Sequence, residues 1–299
     1  MVTPPALKSG DQVAIVATAR KVPAPSDLDL AINLLKSWGL QPVLGKTLSL
    51  ADDQYAGTDA ERLADLQAML DNPEIRAIWC AKGGYGTVRI VDGLDFYKFI
   101  KAPKWIVGFS DVTVLHSHLH KIGFKTLHAT MPLSLEDNSA FAKASLKQAL
   151  FGEALKYTID GAPLNRAGTG QGQLVGGNIS ILYSLCGSPS AIDTREKILF
   201  LEDLDEYLYH VDRMMLNLKR NGMLNQLKGL IVGGLTKMHD NSVPFGKTAA
   251  EIIAEAASGC DYPVCFDFPA GHIDDNRALI LGAEVQLTVD PQGTQLNFR

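Results

Sequence analysis

Trp105-Ile106-Val107-Gly108-Phe109-Ser110-Asp111-Val112-Thr113-Val114-Leu115-His116 is the stretch that decides how this chain is read. The apolar, β-branched run from Trp105 to Val107 predicts a short buried strand. It stops at Gly108, and from Asp111 onward Val112, Leu115 and Leu119 recur at helical spacing. One serine lies between strand and helix. A serine on a tight strand-to-helix turn projects its hydroxyl from the sheet edge, where amides of the helix N-terminus can stabilise a developing oxyanion. That is the geometry of a nucleophile elbow, although Val112 stands where the Gly-x-Ser-x-Gly pattern has its second glycine. The plain alternative for Ser110-Asp111 is a solvent-facing helix cap.

Around this stretch, strands and helices alternate. Gln12 to Thr18, Gln41 to Leu44, Ile75 to Ala81 and Thr126 to Ala129 read as strands. Ser26 with Asp29, and Thr58 with Glu61, offer capping patterns for the helices between them. The spacing predicts a parallel sheet covered on both faces, a Rossmann/flavodoxin-like α/β domain over residues 1–155. Tyr157 to Gln171 is rich in Gly, Pro, Thr and Asn, so residues 156–171 read as a linker. Residues 172–299 read as a smaller C-terminal α/β domain with shorter, mixed strands. Its elements include a helix opened by Gly176-Gly177-Asn178, a strand over Lys197 to Leu201 and a helix over Tyr207 to Arg220.

Composition narrows the function. The 299 residues are 46% hydrophobic and 20% charged, ordinary for a soluble globular protein. A net charge of -5 without any Lys/Arg run argues against nucleic acid or an anionic membrane as partner. The four cysteines form no Cys-x-x-Cys pair, so neither a zinc knuckle nor a disulfide framework is indicated. No stretch approaches the roughly 20 apolar residues of a membrane span, and Met1 to Gly10 carries no apolar signal region. A cytoplasmic enzyme is the expectation.

A nucleophilic serine needs a base, a group that orients the base, and oxyanion donors. Gly83-Gly84-Tyr85-Gly86 follows a strand, so it should share the sheet edge with Ser110, and its unshielded amides could approach a substrate oxygen. A phosphate cradle or a simple tight turn would use the same glycines. Seven histidines compete as base. His116 and His120 have metal-ligand spacing but lack a zincin glutamate, because Ser117 occupies its place. His272 lies in the polar loop Pro269 to Asn276, as a catalytic group, an exposed histidine or a metal ligand with Asp274 and Asp275. Glu202 ends an apolar strand, but it is clustered with Asp203, Asp205 and Glu206, which is also how solvated helix-start charges look. Cys80 has no base placed beside it in the sequence.

Several blocks taken together resemble the serine peptidase family of LD-carboxypeptidases, which also contains the microcin-immunity hydrolases. They are Tyr55 to Asp59, Ala81 to Arg89, Gly108 to Asp111, Leu174 to Asn178, Leu201 to Asp203 with Asp212-Arg213-Met214, and Pro269 to His272. The likeness runs in order from about residue 10 to about residue 285. It implies Ser110 as nucleophile, Glu202 as orienting acid, His272 as base, and the backbone amides of Gly84 and Asp111 as oxyanion hole. It further implies hydrolysis of the amide between the L-centre of a diamino acid and a terminal D-amino acid, as in murein tetrapeptides losing D-alanine. No metal or organic cofactor is needed, the partner is a small murein peptide, and a homodimer is expected because family members are often dimers. The opening loop Val16 to Arg20 departs from the Pro- and Ser-rich family pattern. Arg89 or Lys82 is expected to hold the substrate's terminal carboxylate. Two other readings are a hydrolase of an acyl-nucleotide antibiotic such as processed microcin, and a non-catalytic protein that binds a phosphorylated ligand on its glycine loops.

Overall fold

The computed structural model describes residues 1–299. The first half alternates β1 (Gln12–Val16), α1 (Asp29–Ser37), β2 (Gln41–Leu44), α2 (Asp59–Asp71), β3 (Ile75–Cys80), α3 (Tyr97–Lys101), β4 (Trp105–Gly108), α4 (Thr113–Lys121), β5 (Thr126–His128) and α5 (Ala140–Leu150). Strands β2-β1-β3-β4-β5 run parallel in that spatial order, the flavodoxin-like arrangement. Such a sheet places its ligand crevice outside the carboxyl ends of the strands where the order reverses, here between β1 and β3. The loops Ala17 to Arg20 and Ala81 to Gly86 leave from those two ends. The expected capping box of Thr58 and Glu61 starts α2. Ser26 caps nothing: a 3-10 turn over Pro25–Leu28 precedes α1, and Asp27 accepts the Ala24 N–H instead.

The second half contributes β6 (Lys156–Asp160), β7 (Gly168–Asn178), α6 (Ile179–Ser184), β8 (Ile198–Leu204), α7 (Leu208–Arg220), β9 (Gly229–Thr236), α8 (Ala249–Ala256), β10 (Val264–Cys265), β11 (Leu279–Leu281), β12 (Glu284–Asp290) and β13 (Gly293–Phe298). Its seven-stranded sheet, β10-β9-β8-β7-β12-β13-β6, is parallel from β10 to β7 and antiparallel beyond. The eleven residues of β7 make the change: Gly168 to Gln173 pair with β12, and Leu174 to Asn178 pair with β8.

The linker expected at 156–171 is corrected on two counts. Residues Lys156–Asp160 are a strand paired with β13, and β7 already begins at Gly168. Its glycines serve close packing: a Cβ on Gly170 would lie 1.7 Å from the Lys228 carbonyl oxygen, and one on Gly161 would lie 3.1 Å from that of Pro291. The halves are also not separate in sequence, because β11 returns to the first sheet and pairs antiparallel with β5. One apolar cluster accordingly runs through both sheets, joining Val13, Trp79 and Leu127 to Leu174, Phe200, Leu279 and Leu287. Leu279→Ala, at a fully buried site in that shared cluster, is expected to cost about 2–5 kcal/mol in urea unfolding. Circular dichroism and tryptophan fluorescence should still report one coincident transition, since the largest apolar cluster, 38 buried residues, belongs to both sheets.

Candidate active site

Ser110 opens the 3-10 turn that follows β4 and lies in the left-handed backbone region, with φ +63°, which non-glycine residues seldom adopt. It is buried and does not cap α4, whose preceding residue is Val112, so the helix-cap alternative fails. The structure also explains the missing second glycine. A Cβ on Gly108 would come within 2.8 Å of Val112 Cγ2, so the turn needs a glycine on one side only and valine fills the other. Gly83 is pressed against the serine: a Cβ there would lie 2.9 Å from both Cβ and Oγ of Ser110 and 3.4 Å from the Asp111 nitrogen. The glycine loop therefore lies beside the two backbone amides expected as oxyanion donors, and neither the Gly84 nor the Asp111 N–H donates within the loops.

Glu202 and Asp203 are neighbours in sequence and both are buried, unlike solvated helix-start charges. Strand alternation sends them to opposite faces, and the β8–β9 register shifts between Leu201 and Asp203. Asp203 turns to α6, accepting from Asn178 Nδ2 at 2.8 Å and from the Ser180 N–H and hydroxyl at 2.9 Å each. Burial, helped by the charge of Glu202, pushes its carboxyl up to about 6. Glu202 turns the other way. Its Oε2 lies 2.6 Å from His272 Nδ1 and also accepts the His272 backbone N–H at 3.3 Å. Gly271 makes this approach possible, because a Cβ there would lie 2.7 Å from Glu202 Cβ. Asn276 Oδ1 accepts the Gly271 N–H at 2.8 Å, and Thr236 Oγ1 donates to the His272 carbonyl at 3.0 Å, so the loop is fixed on both sides.

Burial alone would lower the His272 pKa, but the charge and hydrogen bond of Glu202 outweigh it and raise it above the ordinary histidine value. For Glu202, burial pulls up and the imidazole pulls down, with the net direction downward. The His272 ring packs edge-on against Phe109, centroids 4.8 Å apart. Ser110, His272 and Gly84 line one cavity of about 440 Å³. The imidazole is bonded to Glu202 through Nδ1, and no hydrogen bond joins it to the Ser110 hydroxyl.

Arg62 is a residue that sequence reasoning missed. On a helix beside a capping box it reads as a solvated charge, yet it is buried. Its guanidinium donates to the carbonyls of Gly57 (3.3 Å), Thr18 (2.8 Å) and Gly86 (3.0 Å) and pairs with Asp59. One side chain thus ties the Tyr55–Asp59 block, the opening loop and the glycine loop together. Asp111 secures the same loop from the other side by accepting the Thr87 N–H at 2.9 Å.

The competing candidates are placed elsewhere. His116 is buried, with Nε2 2.9 Å from the Gly108 carbonyl, and burial draws its pKa down to about 3. No group of three or more His, Cys, Asp or Glu side chains is arranged to hold a metal ion. Cys80 is fully buried, which pushes its thiol up to about 12 and keeps it protonated. Arg89 is held by Asp59, with Nε 2.9 Å from both carboxylate oxygens, whereas Lys82 lines the Ser110 cavity.

Comparison with known proteins agrees with this architecture. The LD-carboxypeptidase N-terminal domain matches residues 13–129 and the LD-carboxypeptidase C-terminal domain matches residues 171–287. The chain belongs to the LD-carboxypeptidase family of serine peptidases and is a serine carboxypeptidase. It is 38% identical to the probable murein peptide carboxypeptidase of Bacillus subtilis (strain 168), over 95% of this chain and 91% of that protein. The crystal structure of muramoyltetrapeptide carboxypeptidase from Oxalobacter formigenes superposes with a TM-score of 0.86 at 29% identity, covering 96% of this chain and 98% of that one. The microcin C7 self-immunity protein MccF of Escherichia coli is 22% identical, over 95% of this chain and 91% of that protein. No helix is long and apolar enough to cross a membrane.

A base must be neutral to act, so the acid limb of kcat/KM is expected to have an apparent pKa above the ordinary value of about 6.5. Glu202→Gln removes the charge that raises His272 and leaves the burial that lowers it. The limb should then move to lower pH while kcat falls on the order of 10³–10⁴-fold, as read from pH–rate profiles of both proteins.

Proposed function

We propose that the protein hydrolyses the amide bond between the L-centre of a diamino acid and a terminal D-amino acid, releasing D-alanine from murein tetrapeptides. The observation that carries this reading is the Glu202–His272 pair at 2.6 Å, opening into the cavity that Ser110 and the glycine loop share. Relatives named as murein peptide and muramoyltetrapeptide carboxypeptidases support the substrate class.

Each residue then has one task. Ser110 Oγ attacks the scissile carbonyl while His272 Nε2 takes its proton, and Glu202 holds Nδ1–H so that Nε2 is the free base. The Gly84 and Asp111 amides receive the oxyanion, each worth roughly 3 kcal/mol of barrier. His272 returns the proton to the leaving amine, which departs as the free D-amino acid. Water then attacks the acyl-enzyme with His272 again as base, releasing the shortened peptide and restoring Ser110. The elbow turn that strains Ser110 sets it on the wall of the cavity in which this chemistry takes place.

Tyr85 favours a second reading. It is exposed, lines the same cavity and has its ring 6.3 Å from that of Tyr55, an aromatic surface on which a nucleobase could stack. A hydrolase of acyl-nucleotide antibiotics would use the same serine, acid and base.

Mass spectrometry of murein tetra- and pentapeptides is the deciding measurement. D-alanine should leave the tetrapeptide, with EDTA making no difference, and Ser110→Ala should lower kcat on the order of 10⁴–10⁶-fold. A fluorophosphonate should label the wild type and not the variant. If the wild type is neither labelled nor active on the tetrapeptide, the reading fails. Cleavage of an aminoacyl sulfamoyl nucleoside in place of the peptide would favour the second reading.

A further inference from the structure

The Ser110 cavity is electrically two-sided. Arg20 and Lys82 come from the loops after β1 and β3 of the first sheet, whereas Asp205 and Glu206 come from the loop after β8 of the second. The two acids differ in what already occupies them; of the two cations neither enters an ion pair, and it is Arg20, not Lys82, whose side chain lies against Gly84.

Arg20 is exposed, and its side chain lies along Gly84: a Cβ on Gly84 would come within 2.7 Å of both Arg20 Cγ and Cδ and 3.3 Å of Nε. Its guanidinium enters none of the chain's ion pairs, in contrast to Arg62 and Arg89, which are both spent on Asp59. On the acidic side Glu206 is committed at both oxygens, to the Ser180 hydroxyl (2.9 Å) and to His210 Nδ1 (2.5 Å). Asp205 is bonded at Oδ1 alone, to His239 Nε2 at 2.6 Å, which leaves Oδ2 open, and its side chain is 67% exposed. Its backbone is held in the left-handed region, φ +61°, by the bond from its N–H to the Thr236 carbonyl at 3.0 Å.

We infer that Arg20 receives the terminal carboxylate of the leaving D-residue and Asp205 receives the side-chain ammonium of the diamino acid that precedes the scissile bond. The inference rests on the carboxypeptidase reading above and adds the direction in which the substrate lies. Covalent geometry supports the first contact. The terminal carboxyl carbon is only three bonds from the scissile carbonyl carbon, whose oxygen is to meet the Gly84 amide. A guanidinium already packed over Gly84 is therefore within reach of that carboxylate, and its planar fork matches it. The diamino acid is the acyl half. It remains on Ser110 after the D-residue leaves, so the Asp205 contact persists through deacylation and the Arg20 contact does not. The orientation is also self-checking, because a peptide entering in reverse would bring its carboxylate to Asp205 and its ammonium to Arg20.

The test uses two substrate pairs. The first is the tetrapeptide with a free D-alanine carboxylate against the same peptide ending in D-alaninamide. The second is the tetrapeptide against one whose diamino acid is acetylated at its side-chain amine. The wild type is expected to prefer the carboxylate, and separately the ammonium, by about 10- to 100-fold in kcat/KM. Arg20→Gln should bring the first preference to within about 3-fold and leave the second intact, while Asp205→Asn should do the converse. Arg89→Gln, which removes the same charge outside the cavity, should keep both preferences. If Arg20→Gln and Asp205→Asn leave the preferences of an active wild type unchanged, or both variants reduce both preferences alike, this inference falls and the carboxypeptidase reading stands. A wild type that releases no D-alanine from any of the peptides overturns both.

Discussion

Ser110 is held in a backbone conformation that an L-residue with a side chain resists, and much of the site is shaped by that single turn. A left-handed non-glycine residue of this kind costs about 1–3 kcal/mol, so it persists only where its surroundings over-determine it. Here the surroundings do so by steric exclusion. Gly83 leaves room for the serine side chain, and Gly108 leaves room for Val112, with clearances of 2.9 and 2.8 Å for the missing Cβ atoms. The glycines are therefore shape complements to the elbow as much as sources of amides. Arg62 and Asp111 then fasten the loops that the glycines allow to come so close.

The same economy of space joins the two sheets. A Cβ on Gly177 would lie 2.5 Å from Thr113 Oγ1, and that hydroxyl accepts the Asn178 N–H at 3.2 Å. The start of the helix after Ser110 thus rests directly on the end of β7, one strand from Glu202. With β11 paired into the first sheet and one apolar cluster running through both, the serine and the acid–base pair are held by a common core although they come from different halves. Catalytic groups must be kept within a fraction of an ångström of a productive arrangement. A shared core provides that rigidity where a flexible linker at 156–171 would not.

The histidines show how burial sorts residues that look equivalent in sequence. His116, His120 and His128 are drawn well below the ordinary value because desolvation outweighs what opposes it, the Gly108 carbonyl at His116, the charge of Asp193 at His120 and that of Glu202 at His128. His272 is raised because Glu202 does compensate it. The proposed role of His272 as base draws on this difference, since of these imidazoles it alone is held above the ordinary histidine value by a bonded carboxylate.

Local chemistry in the sequence determined the alternation of strands and helices, the elbow at Gly108 to Asp111, the capping box at Thr58 and the glycine loop at Gly83 to Gly86. Each of these depends on periodicity or backbone freedom over a few residues, which the chain carries wherever it folds. The glycines of β7 misled, since the same residue type serves a turn and a close strand contact, and only the neighbouring chain distinguishes them. Tertiary structure alone decided that Arg62 is buried, that β11 crosses to the first sheet, that Glu202 and Asp203 face opposite ways, and that Arg20 lies over Gly84 in place of Arg89. These are long-range facts. The environment of a charge is set by segments tens of residues distant, and no local pattern records which carboxylate or carbonyl will be waiting for it.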